Sequence, residues 1–98
     1  KGLSLGGVLP TAKHFPGHGG TIQDSHKTTP KKLVTEEELV ERDLVPFQAF
    51  ADARFPRAIM MAHLSLPNVD ESSVPATFSA PIIQERLRTE MGFKGLVM

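Results

Sequence analysis

Ninety-eight residues and 10.7 kDa leave room for one small hydrophobic core. Hydrophobic residues at 40% and charged residues at 22% describe an ordinary folding chain, not a disordered one. Eleven Lys/Arg cancel eleven Asp/Glu, which gives no electrostatic case for nucleic acid as a partner. No apolar run approaches the roughly 20 residues of a transmembrane helix, so no membrane partner is expected either.

The charge is unevenly distributed. Residues 1–32 hold five lysines against the single acid Asp24, and the remainder is acidic. The chain has no cysteine, which excludes a disulfide framework, a thiolate metal site and a Cys nucleophile. It opens without an initiator Met and stops at Gly95-Leu96-Val97-Met98, inside what reads as an apolar strand. Both ends look cut, and the rest of a larger domain is the expected partner.

In chain order, Gly6-Gly7 is a breaker, and the second half of Val8–Phe15 reads as a short strand, with Pro10 at its start. Pro16 to Val34 is too broken by Pro and Gly for a regular element and too long for an ordinary connection, which favours a functional loop. Thr35 and Glu38 form a capping box, and Val40, Leu44, Phe47 and Ala51 trace one helical face behind it. Pro46 interrupts that face, so a first helix is expected to end near Asp43 and a second to begin at about Pro46. Ala58–Leu64 is a continuous apolar run, the signature of a parallel strand covered on both faces. A polar loop over 65–78 follows. Ser79 then caps a helix with Ile83, Leu87 and Met91 on one stripe, Gly92 ends it, and a strand begins at Phe93. Strand, helix, strand, helix, strand is the grammar of an α/β parallel sheet.

Three of the four histidines, His14, His18 and His26, fall within thirteen positions, with Lys13 and Asp24 beside them. His14 lies at the C-terminal end of a strand, where parallel α/β folds bind ligands. In an extended Asp24-Ser25-His26, residues two apart face the same side. The Asp24 carboxylate can then orient the His26 ring and raise its proton affinity, leaving the other nitrogen to exchange a proton near neutral pH. A surface Asx turn with a solvated histidine explains the same spacing. A metal site built from His14, His18, His26 and Asp24 is a further alternative; Pro16 and Gly17 prevent the helix that would align His14 with His18, and the neighbouring Lys13 repels a dication. His63, at the end of an apolar strand, reads as a buried histidine bonded to a neighbouring strand end.

Lys13-His14-Phe15-Pro16-Gly17-His18-Gly19, four residues, then Asp24-Ser25-His26 resembles the K-H-[FI]-P-G-H-G-x4-D-S-H motif of bacterial β-N-acetylhexosaminidases in glycoside hydrolase family 3. The likeness continues through Ala58–Pro67 and Glu90–Met98. It implies that residues 1–98 are part of a (β/α)8 TIM barrel, covering about its fifth to seventh strands. It also implies retaining hydrolysis of β-linked N-acetylglucosamine, with no cofactor. By position, His26 would be the general acid/base, Asp24 its partner, and Lys13 and His14 would bind sugar hydroxyls. The family's nucleophilic Asp would follow Met98, so the isolated chain is expected to be inactive. The substrate would be a β-N-acetylglucosaminide from peptidoglycan or chitin, with phosphorolysis an alternative to hydrolysis. A non-catalytic sugar-binding relative also fits. The expected location is cytoplasmic, with secretion the alternative.

Overall fold

The computed structural model describes residues 1–21 and 29–98. Three parallel strands form one sheet in the order β1 (Thr11–Phe15), β2 (Ala58–Met61), β3 (Leu96–Val97). A four-residue helix, α1 (Gly2–Leu5), precedes the sheet. The first crossover is helical in two parts, α2 (Glu36–Glu38) running through a π-type turn (Leu39–Asp43) into α3 (Val45–Ala51). The second contains a short 3₁₀ turn (Ala76–Phe78) and a helix wound throughout in π-type turns, numbered α4 (Pro81–Glu90).

The local signals that start these helices act as expected. Thr35 Oγ1 accepts from the Glu38 amide at 3.2 Å, and Glu38 Oε2 accepts from the Thr35 amide at 2.9 Å, closing the capping box. Ser79 Oγ accepts from the Ile82 amide at 3.2 Å and donates to Asp70 Oδ2 at 2.5 Å. Asp70 Oδ1 accepts in turn from the Ser72 amide and hydroxyl. Asp70 and Ser79 are both buried, so this carboxylate ties the polar loop after β2 to the start of α4.

The apolar stripes hold at Leu44, Phe47 and Ala51 and at Leu87 and Met91, all buried, and differ only at their first positions: Leu39 is buried where Val40 was expected, and Ile82 is buried beside Ile83, which packs partly buried against the core. Both shifts have one cause. The Leu44 amide reaches back five residues to the Leu39 carbonyl, and the Met91 amide five residues to Arg86. These wider turns line up residues five apart, Leu39 with Leu44 and Ile82 with Leu87, where α-helical spacing would align residues three or four apart. Val40 is left 45% exposed.

Helix and sheet meet in a core of Phe15, Ile59 and Met61 from the strands, Leu39, Leu44, Phe47 and Ala51 from the first crossover, and Ile82, Leu87, Met91 and Phe93 from the second. The Phe15 and Phe47 rings meet edge to face, 5.2 Å between centroids. β2 is shorter than the apolar run that announced it: beyond Met61 the Ala62 amide still donates to the Phe15 carbonyl of β1, while Ala62 and Leu64 continue into the core outside the strand. One face of the sheet packs on this core. On the other, Thr11, Lys13 and Leu96 of the flanking strands are exposed, but Ala58 between Thr11 and Leu96 is buried and Met60 half-buried, so the central strand is covered on both faces over most of its length, as its apolar run implied.

Candidate active site

The Lys13-His14 pair stands at the C-terminal end of β1, as the sequence implied. Thr11, Ala12 and Lys13 pair in register with Ala58, Ile59 and Met60, and then Phe15, not His14, pairs with Met61. His14 is therefore the extra residue of a bulge, a device that redirects side chains at the ends of strands. The bulge explains why Ala12 and Phe15, three apart, both pack on the core. Lys13 is exposed and His14 half-buried on the short stretch between them. The Lys13–His14 and Phe15–Pro16 peptides are both cis.

A tight turn follows, in which the Gly17 amide donates to the His14 carbonyl at 2.8 Å. Gly17 has φ +129°, a backbone conformation that favours glycine, and a Cβ there would press on the Asp43 Cβ at 3.0 Å. The turn brings the His18 ring back to His14, edge to face with 5.9 Å between centroids. Thr21 Oγ1 donates to the His18 carbonyl at 3.0 Å and lies 3.1 Å from His18 Nδ1. With its one proton given to the carbonyl, the hydroxyl can accept from Nδ1–H of His18. Burial, the Lys13 ammonium and the His18 ring all hold the His14 pKa below the ordinary imidazole value. His14 is thus a neutral ring at pH 7, able to donate from one nitrogen and accept at the other.

Asp24 and His26 lie outside the described residues. Among the described residues there is no group of three or more His, Cys, Asp or Glu side chains arranged to hold a metal ion; His14 and His18 are the two described members of the four ligands considered above. His63 corrects its expectation. It is exposed, with Nδ1 2.9 Å from Thr77 Oγ1 and its ring edge-on to Phe78 at 5.9 Å, because the chain leaves the sheet at Met61 and carries His63 beyond the strand ends.

Two residues of this region gave no sign in the sequence. Lys32 is 4% exposed, and its Nζ donates to the Gly17 carbonyl at 2.9 Å and to Asp43 Oδ2 at 2.5 Å. Asp43 also accepts from Arg42 Nε at 3.0 Å. Burial alone would raise the Asp43 pKa, but the hydrogen bonds from Arg42 and Lys32 overcome it and hold the carboxyl below the usual carboxylate range. In a Lys31-Lys32 pair the sequence offers only the look of a solvated basic stretch.

The family model of the glycosyl hydrolase family 3 N-terminal domain matches residues 1–98. The chain belongs to that family. A family 3 chain carries a TIM-barrel-type domain, and the parallel sheet with helical crossovers seen in residues 1–98 is α/β structure of that kind. The "Beta-hexosaminidase" of Stenotrophomonas maltophilia is 43% identical over 97 residues, covering 99% of this chain and 28% of its own. A glycoside hydrolase family 3 beta-N-acetylglucosaminidase from Paenibacillus superposes with a TM-score of 0.92 at 40% identity, over 98% of this chain and 18% of that one. NagZ from Neisseria gonorrhoeae gives 0.89 at 40% identity, over 99% and 27%, and has also been solved in complex with N-trifluoroacetyl-D-glucosamine. This family 3 chain therefore spans less than a third of the length of the relatives it matches. No helix among its described residues is long and apolar enough to cross a membrane.

Proposed function

We propose that residues 1–98 are part of the barrel domain of a retaining β-N-acetylglucosaminidase and supply its acid/base loop and part of its sugar-binding wall. The observation that carries this reading is the end of β1, where Lys13 is exposed on the last in-register position and a bulge sets a neutral His14 out of the ladder, at the strand end where barrel enzymes bind their ligands. The Neisseria relative's complex with a glucosamine derivative supports a β-N-acetylglucosaminide as the ligand, derived from peptidoglycan or chitin. In this reading β1 to β3 are about the fifth to seventh strands of the barrel, and the sheet face bearing Thr11, Lys13 and Leu96 borders the barrel interior. The enzyme is cytoplasmic and uses no cofactor.

The chemistry follows from the side chains. Lys13 donates as a fixed cation, and His14 both donates and accepts, which suits a sugar hydroxyl that does both. Asp24 accepts from one His26 nitrogen, keeping the ring oriented and basic. His26 gives its proton to the glycosidic oxygen as the aglycone leaves, while an Asp following the Gly95–Met98 strand in the longer protein attacks the anomeric carbon. The now neutral His26 then takes a proton from water, which attacks the same carbon, releases the Asp and returns the sugar with its original configuration. An imidazole in this role also avoids setting a second carboxylate beside the nucleophile. Proton NMR of the first-formed product of the full-length enzyme tests the scheme. The β-anomer is expected to appear first, mutarotating later to α; α first would mean a single inverting displacement and would overturn it.

A further inference from the structure

We infer that Lys32 is a positioning residue for catalysis: its ammonium fastens the two ends of the acid/base loop to each other and to the helical crossover. The inference rests on the acid/base reading of His26 given above. Lysine is almost never fully buried unless its charge is paired, and burying an ion pair is costly compared with apolar residues of similar volume. Lys32 is nevertheless 4% exposed, and the partners of its Nζ are the Gly17 carbonyl and Asp43. Gly17 is where the chain leaves β1 and the sugar-binding pair. Lys32 is where it returns.

The return leg is fixed independently. The Lys32 amide donates to the Ser65 carbonyl at 2.9 Å, the Ser65 amide donates to the Pro30 carbonyl at 3.0 Å, and Lys31 bridges Ser65 in parallel. Asp43, the other half of the pair, ends the π-type turn whose Leu39 and Leu44 are buried in the core. Lys32 thus joins the exit of β1 and the first crossover through its side chain, and the segment after β2 through its backbone. The segment between its two anchor points contains His18, Thr21, Asp24 and His26. A proton donor acts only when held within hydrogen-bond reach of the leaving oxygen, and a misplacement of about 1 Å can cost on the order of 100-fold in rate. Asp43 also packs closely against Gly17, its Cβ only 3.0 Å from where a Cβ on Gly17 would stand.

The test uses the full-length enzyme with two aryl N-acetyl-β-glucosaminides, one with a poor and one with an activated leaving group. His26→Ala serves as the reference. Lys32→Met is expected to lower kcat on the poor leaving group by roughly 10- to 100-fold, with a much smaller loss on the activated one and little change in KM. Should Lys32→Met fail to fold, the double variant Lys32→Met/Asp43→Leu removes the tether while filling the site with apolar volume. It is expected to melt close to wild type and still show the selective loss. If His26→Ala is selective and a folded Lys32 variant is not, the positioning role is wrong while the acid/base reading stands. If His26→Ala itself loses activity equally on both substrates, both fall.

Discussion

His14 is half-buried between an ammonium and a second imidazole, and these neighbours, together with burial, make protonation unfavourable. Its folded pKa lies below the ordinary value of 6.5, so between the two values the unfolded chain binds more protons than the folded one. The stabilisation is complete above the ordinary imidazole range and is lost as pH falls toward the depressed value. The same depression has a functional counterpart. In the proposed sugar-binding role, a neutral His14 could accept a hydrogen bond from a sugar hydroxyl and a protonated one could not, so substrate affinity in the full-length enzyme is expected to fall with pH below the depressed value. Titrating the His14 ring by NMR in the full-length enzyme checks this; a midpoint at or above 6.5 would show that the neighbours do not act as described. At this scale the sequence was partly readable. The Lys13-His14 pair and its position at a strand end followed from local pattern. The burial of Lys32 did not, because nothing near it in the chain announces a partner eleven residues away.

At the scale of elements, signals confined to one turn were legible and those that depend on how a turn is wound were not. Thr35 and Glu38 define the start of α2 by residue type alone, and both hydrogen bonds form. In the stripe behind them Leu44, Phe47 and Ala51 are buried as expected and only the first position was misplaced, Val40 for Leu39, because periodicity assumes four-residue hydrogen bonds, whereas the Leu44 amide closes over five. Ser79 was legible as a cap, but its second bond, to buried Asp70, was not. That bond makes the position more sensitive than an exposed cap. Ser79→Ala removes the acceptor for the Ile82 amide and one of the donors on Asp70, and is expected to cost the full-length protein roughly 1–3 kcal/mol. Thermal or denaturant unfolding measures it. A loss under a few tenths of a kcal/mol would mean the Asp70 network does not join the loop to α4. The Asp70 carboxyl is held below its ordinary pKa by its Ser72 and Ser79 hydrogen bonds, so its stabilisation is present above the ordinary carboxylate value and disappears as pH falls through the depressed one.

For the whole molecule, the alternation of strands and helices was enough to give a parallel sheet, and three strands in sequential order are what was found. The Ala58–Leu64 run led to an expectation of cover on both faces, and β2 has it, with Ala58 and Ile59 both fully buried; exposure falls on Thr11, Lys13 and Leu96 of the strands beside it, in a chain that spans less than a third of its relatives. In the proposed reaction, sugar contacts and the proton donor come from Lys13, His14 and the Asp24–His26 pair, and the nucleophile from the longer protein. The most direct test of that division of labour is the dependence of kcat/KM on leaving-group pKa for the full-length enzyme and its His26→Ala variant. Wild type should be nearly insensitive to the leaving group, while the variant should lose rate steeply as the leaving group worsens, on the order of 100-fold or more between the extremes. Parallel plots, with the same loss on every substrate, would show that His26 donates no proton to the departing oxygen.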